Sequence, residues 1–307
     1  MRLVSTKCAI CDSLEDCTII YENNFDECYL TTDTFSARRL PDYIHYQIVK
    51  CNKDSLIRSN PIIEESSLFS LYKKSKFTYA GEIENLTISY LAVLNPILKR
   101  LSKDAKILEI GCGNGFILKA LYEKGYKNVF GVEPSNDAVE KADKRIKDNI
   151  RVDMLCPGIF DKGYFDLIFF FQTFDHVKDP SAFLRICYDL LSPAGYILAF
   201  NHDIEALPVK ILKHRSPVID IGHIFFYSKT TIRKLFEKNN FMTLKVYSPT
   251  NIISLGYLFH LLPIPRFIKT PLLSLPLLRR IFRKSIEVKL GNLCITAKKT
   301  EPSTWSN

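Results

Sequence analysis

The run Lys106-Ile107-Leu108-Glu109-Ile110-Gly111-Cys112-Gly113-Asn114-Gly115 constrains this chain more than any other stretch. An apolar strand runs into three glycines at alternate positions. The segment Phe116–Glu123, stopped by Gly125, then predicts a helix. Glycine at a strand-to-helix turn reaches backbone angles closed to other residues and lets a ligand approach the main chain closely. A dinucleotide fingerprint needs its third glycine one residue later, where Phe116 stands, so the spacing argues against a nicotinamide cofactor.

A strand–helix rhythm continues beyond the turn. Val129-Phe130-Gly131-Val132 reads as a second strand ending at Glu133, eighteen residues past Gly115. A carboxylate at that strand end can accept both hydroxyls of a ribose. Pro134-Ser135-Asn136-Asp137 starts a helix with Ala138, Val139, Ala142 and Ile146 as its apolar face. Phe165–Phe171 reads as a strand buried on both faces and leads into Gln172-Thr173-Phe174-Asp175-His176-Val177. Asp179-Pro180 opens a helix with Phe183, Ile186, Cys187 and Leu190 inward; Ser192-Pro193-Ala194-Gly195 breaks it before a strand over 196–200. Residues 241–247 and 293–298 read as two closing antiparallel strands.

The glycine turn and this order of elements closely resemble the core of class I S-adenosylmethionine (SAM) dependent methyltransferases. The resemblance implies an α/β fold, a Rossmann-like seven-stranded sheet with helices on both faces. It places the SAM-binding core at about 103–200 and a substrate-side region at 201–307. SAM is then the cofactor, held by Glu109, Gly111, Cys112, Gly113, Asn114, Gly115, Glu133, Pro134 and Gln172. Amino-methyltransferases clasp a flipped base with Asn-Pro-Pro-Tyr or Asp-Pro-Pro-Tyr after the fourth strand. Phe171-Gln172-Thr173-Phe174 stands there instead, which argues against nucleobase N-methylation.

At 307 residues the chain suggests about two domains, and 47% hydrophobic residues suffice for a sizeable core. No run of about eighteen uninterrupted apolar residues exists to span a bilayer. The first residues reach charge and cysteine by Cys8, unlike a secretory signal. Nine cysteines in such a chain point to a reducing cytoplasm, with thiols in the core or on metal. Cys112, Cys156, Cys187 and Cys294 read as inert.

Cys8-Ala9-Ile10-Cys11 has the spacing of a zinc knuckle, and Cys51-Asn52-Lys53-Asp54 falls where a second would lie. Residues 1–61 resemble the zinc-ribbon-like module that precedes many class I methyltransferases acting on sugars and cell-surface glycans. There, phrases like Tyr46-Gln47-Ile48-Val49-Lys50-Cys51 and Leu56-Ile57-Arg58-Ser59-Asn60-Pro61 flank the second knuckle. The module is degenerate here, with Asp54 for the fourth cysteine and Ser55 for the usual glycine. Two readings stay open: one structural zinc on Cys8, Cys11, Cys51 and Asp54, or a metal-free relic. Cys17 and Cys28 are less well spaced and read as structural. Residues 62–102 form a helical linker or cofactor lid, with Ile83, Leu86, Tyr90, Leu91, Leu94, Ile97, Leu98 and Leu101 near helical spacing and Pro96 a break or kink. Tyr72, Phe77, Tyr79 and Gly81 either line the cofactor entrance or pack the module onto the core.

Methyl transfer from a sulfonium to a hydroxyl needs an aligned acceptor and a nearby base. Three of six histidines fall on the substrate side: His176 and His202 follow strands, and His223 precedes a helix start at Ser228 or Lys229. His223 ranks first as base and His202 second, while His176 has a structural role as its rival. No acidic cluster suggests a catalytic magnesium site.

The net charge is +9. Residues 263–290 hold Arg266, Lys269, Arg279, Arg280, Arg283, Lys284 and Lys289 against Glu287 alone. Leu277, Leu278, Ile281 and Phe282 fall on one helical face, with Pro276 at the first turn. Such a segment suits an anionic membrane face, the phosphates of a sugar nucleotide or lipid-linked sugar, or a solvated lid. The expected acceptor is a hydroxyl of such a sugar, and no nucleic-acid partner is expected, for want of aromatic–basic interleaving. The opposing reading is a non-catalytic SAM-fold protein that binds a partner or membrane through this segment.

Overall fold

The computed structural model describes residues 2–26, 35, 43–75, 80–262, 264, 267, 271–272, 275–289 and 291–300, with backbone alone at 80, 260, 276, 277 and 279. Cys28, Phe77, Tyr79, Arg266 and Lys269 lie outside the described residues, as do the side chains of Leu277 and Arg279.

The N-terminal part holds β1 (Leu3–Val4), β2 (Cys17–Tyr21), β3 (Ile48–Cys51), β4 (Ile57–Ser59) and β5 (Ile62–Ile63). β2, β3 and β4 pair antiparallel in chain order, and Phe225–Phe226 completes a four-stranded sheet on the β4 edge. The N-terminal residues therefore share a sheet with the substrate-side region. Two helices follow, α1 (Glu65–Lys73) and α2 (Ile83–Leu98). Tyr90, Val93, Leu94, Ile97 and Leu98 form the buried stripe of α2. Pro96 does not end this helix. It sits in the last turn, where its missing N–H removes a single ladder bond.

The core runs β6 (Ile107–Ile110), α3 (Phe116–Glu123), β7 (Val129–Val132), α4 (Asn136–Glu140), α5 (Lys144–Lys147), β8 (Ile150–Arg151), β9 (Phe165–Phe171), α6 (Pro180–Leu190) and β10 (Leu191–His202). Beyond it lie α7 (Leu207–Leu212), β11 (Phe225–Phe226), α8 (Lys229–Lys238), β12 (Phe241–Tyr247), β13 (Asn251–Ser254), α9 (Leu255–Leu261), α10 (Pro276–Phe282), β14 (Ser285–Val288) and β15 (Asn292–Lys299). The seven-stranded sheet has the order β12-β15-β10-β9-β6-β7-β8. β10, β9, β6, β7 and β8 are parallel neighbours, and β15 runs antiparallel to both β10 and β12. Strand order reverses between β6 and β9, which opens a crevice beyond their carboxyl ends.

Side chains alternate onto two apolar layers. Leu108, Ile168, Phe170 and Ile197 join α6, α8 and the N-terminal part on one face. Ile107, Leu167, Phe169, Phe171 and Leu198 join α2 and α3 on the other. The central strands are thus buried on both sides, as the unbroken phenylalanines of β9 require.

Three expectations need correction. The helix expected over 136–146 is two short ones, because the Asp143 carboxylate accepts from Arg145 N–H and starts a fresh turn. β10 extends back through the 192–195 breaker to Leu191, with a register shift between Leu191 and Tyr196, and forward to His202. Ile281, placed on the apolar face of the basic helix, is 47% exposed, while Phe282 stacks on Phe259 at 5.3 Å between centroids. The β13–β14 pair had no signal in the sequence. It docks on α2 through Ile252 N–H to Ser89 Oγ at 2.8 Å.

Candidate active site

The crevice is floored by the glycine turn. Gly111, Gly113 and Gly115 all have left-handed backbones, with φ of 71°, 56° and 69°. A Cβ on Gly111 would strike the Thr173 side chain, and one on Gly115 would lie 2.5 Å from Ile146 Cδ1. Conformation therefore favours glycine at all three positions, and space adds to it at Gly111 and Gly115. Gln172, at the end of β9, also has a positive φ of 50°, and its N–H donates to Phe200 O at 2.7 Å.

Two carboxylates flank the turn. Glu133 Oε2 accepts from Gly113 N–H and Oε1 from Ser135 N–H, each at 2.8 Å. Burial raises its pKa, and these two bonds pull against that. Glu109 is 3% exposed, and its Oε2 is buried without a partner, as is Asn114 Oδ1. Burial first, then the nearby Glu133 charge, pushes the Glu109 carboxyl well above its ordinary range. Neither carboxylate meets a lysine or arginine among the described residues. A cationic ligand rich in donors, such as the amino-acid end and ribose of SAM, fits these unspent acceptors.

Around the corner, β9, β10 and the loop before β11 bring three imidazoles to one acid. Asp175 lies in the 3₁₀ turn Phe174–His176 and is 3% exposed. Its Oδ2 is 2.7 Å from His202 Nδ1 and 3.9 Å from His223 Nε2, and its Oδ1 is 3.9 Å from His176 Nε2. Burial works to raise the Asp175 pKa, but His223, His202 and His176 outweigh it and hold the carboxyl well below the usual range. An ionised carboxylate only accepts, which assigns the proton of His202 to Nδ1 and leaves Nε2 with its lone pair. His176 Nδ1 faces Gly222 O at 2.7 Å and Tyr72 Oη at 3.1 Å, and His223 Nδ1 faces Val218 O at 2.8 Å. His223 is the most enclosed, with a side chain 9% exposed against 23% for His202. Next to His202, Asn201 is fully buried with neither Oδ1 nor Nδ2 partnered.

A second cluster lies in the N-terminal part. Cys8 Sγ is 3.2 Å from Asp54 Oδ2, and Cys11 Sγ is 3.5 Å from Cys51 Sγ. One ligand atom from each of Cys8, Cys11, Cys51 and Asp54 lies within 4.8 Å of the others. Cys17 stays apart, its Sγ 3.9 Å from Leu14 O.

The sequence named the glycines, Glu109, Glu133, the three histidines and the cysteine set, and the fold gathers each group in space. It missed Asp175 as the hub, although Asp175 stood in the quoted motif. Tyr72, which the sequence leaves either lining the cofactor entrance or packing the module onto the core, contacts His176. Thr173, which fills the space over Gly111 and donates to Ile110 O at 3.3 Å, had no signal beyond its place after β9.

A model of the methyltransferase domain matches residues 84–246, more than half of the chain. The chain is 24% identical over 131 residues to a ubiquinone biosynthesis O-methyltransferase of Chromobacterium violaceum, covering 41% of this chain and 54% of that one. Identity is 31% over 110 residues to the mitochondrial ubiquinone biosynthesis O-methyltransferase of Saccharomyces cerevisiae, covering 33% and 35%. It is 25% over 170 residues to a tRNA U34 carboxymethyltransferase of Vibrio cholerae, covering 53% and 51%. The chain thus spans between 35% and 54% of the length of these relatives. Among solved structures, a chain from the complex between the Haloferax volcanii Trm112 methyltransferase activator and a methyltransferase has a TM-score of 0.51 at 17% identity. That match covers 72% of this chain and 95% of the other, and shows a common fold. Glycine turn, strand order and domain match agree: the chain belongs to the methyltransferase domain family and has its Rossmann-like α/β fold.

Proposed function

We propose that the enzyme methylates a hydroxyl oxygen of a small-molecule acceptor, with His202 as general base. The observation that carries this is the 2.7 Å Asp175–His202 pair at the carboxyl edge of the sheet. Asp175 fixes the imidazole and stabilises its protonated form, so that Nε2 can take the acceptor proton. When bound, SAM supplies a methyl group on a positive sulfur, already activated for in-line displacement. Glu133 has spent one lone pair per oxygen on backbone N–H groups, and a carboxylate has about four, so acceptor capacity remains for two ribose hydroxyls. Glu109 and Asn114 offer unpartnered oxygens to an ammonium. His223, first choice from sequence, is too enclosed to reach an acceptor as readily as His202.

The acceptor class we favour is a phosphorylated or lipid-linked sugar. Exposed Arg280, Arg283, Lys284 and Lys289 support it as phosphate partners, and the O-methyltransferase names of two relatives support oxygen as the acceptor atom. Incubation of purified protein with labelled SAM and a panel of sugar nucleotides, lipid-linked sugars, phenols and tRNA tests it. Label on a sugar hydroxyl is expected, and label only on tRNA or a phenol would overturn the sugar class.

We also propose one structural zinc on Cys8, Cys11, Cys51 and Asp54. Three thiolates and a carboxylate around Zn²⁺ carry two net negative charges. Buried Arg58, anchored to Thr6 O and Leu14 O beside the knuckle with Nη1 unpartnered, is a cation suited to offset them. Protein purified without chelator is expected to hold about one zinc per chain on the cysteine cluster, and to melt at lower temperature once chelated. Elemental analysis finding no zinc, with melting unchanged by chelator, would leave the metal-free relic.

A further inference from the structure

The acid–histidine hub has more donors than a base needs. His202 alone would serve proton transfer, yet His176 and His223 also turn Nε2 toward Asp175. One ligand atom from each of Asp175, His176 and His223 lies within 4.8 Å of the others. We infer that these three side chains form a divalent-cation site, separate from the cysteine cluster, that opens toward the acceptor crevice.

The tautomers carry the inference. Backbone carbonyls only accept, so His176 Nδ1 donates to Gly222 O and His223 Nδ1 to Val218 O, at 2.7 and 2.8 Å. In the neutral form that metal binding requires, each ring then points a bare Nε2 lone pair at the hub. Metal-binding histidines are held this way, with the second ring nitrogen donating to a carbonyl or carboxylate. The third ligand is held in the same manner. Asp175 Oδ2 accepts from His202 Nδ1–H, while its Oδ1 is buried with no hydrogen-bond partner. An orphaned carboxylate oxygen inside a protein is costly unless something positive meets it. All three ligands therefore have their outer bonds in place while their inner atoms are left over.

Two imidazoles and one carboxylate suit a first-row transition ion such as zinc, iron or cobalt better than magnesium or calcium, which take oxygen ligands. Three protein ligands leave coordination positions free, as catalytic sites do. Side-chain exposures of 30% at His176 and 23% at His202 mark the open side. There a hydroxyl of the acceptor could bind the ion and lose its proton more easily, with His202 Nε2 beside it as the base. The site shares Asp175 and His202 with the acceptor chemistry proposed above. Its test therefore reads metal alone, without SAM or acceptor, and the two readings can fail separately.

The experiment is a Co²⁺ titration of the full chain followed by absorption. Uptake by the cysteine cluster shows as thiolate charge transfer, while an imidazole–carboxylate site shows only weak d–d bands. The expected result is an equivalent of Co²⁺ with d–d bands and no charge transfer. H176Q/H223Q should lose that equivalent and keep the thiolate band. His202→Gln, which removes the anchor of Asp175, should weaken it roughly 10- to 100-fold. Circular dichroism establishes that the double variant is folded; if it is not, the single variant His176→Gln, at the more exposed ring, is read instead. Absence of this equivalent in the wild-type protein, or unchanged affinity and spectrum in the histidine variants, would overturn the inference.

Discussion

Replacing His202 by glutamine is expected to lower methyl transfer by roughly 10²-fold or more while leaving SAM affinity nearly unchanged. Glutamine can still donate to Asp175 from its amide, so the loss isolates the missing basic nitrogen. SAM affinity should hold because the cofactor contacts proposed above lie on the glycine turn and Glu133, not on the acid–histidine hub. His223→Gln makes the comparison sharper. Its ring is 9% exposed and bonded to Val218 O, so its loss should perturb Asp175 and the loop before β11 rather than remove the proton acceptor. Single-turnover measurements on both variants check this. Near wild-type turnover in His202→Gln, with collapse only in His223→Gln, would move the base to His223.

The core was legible because its strands are buried on both faces. Such strands must be apolar almost throughout, and β9, with four phenylalanines in seven residues, could be little else. Punctuation was equally plain. Asp179 and Ser228 accept from Ala182 and Thr231 N–H as caps where the sequence placed helix starts. Less legible were elements decided by tertiary contact. Phe225–Phe226, for which the sequence shows only a place ahead of a helix start, is a strand because Ile57 and Arg58 lie alongside it. The β13–β14 pair joins segments thirty residues apart, beyond the reach of any local pattern. Within the site, residue types with one chemistry were found by sequence alone. The role of Asp175 was not, because two of its three imidazole neighbours, His202 and His223, come from distant segments. Nor could spacing rank the histidines, since their order of exposure depends on how the loop before β11 folds over the crevice.

The central claim, that SAM sits on the Gly111–Gly113–Gly115 turn against Glu133, is most directly tested by calorimetric titration of SAM into wild-type protein and Glu133→Ala. The buried carboxylate is expected to receive two ribose hydroxyls. Losing it should cost about 1.5–3 kcal/mol, roughly a tenfold to 150-fold rise in Kd. The same variant frees Gly113 and Ser135 N–H, so Glu133→Gln, which keeps one carbonyl oxygen, should fall between the two if the variants stay folded. That ordering is the predicted result. Equal SAM affinity in all three proteins, each shown folded by its melting curve, would contradict the account.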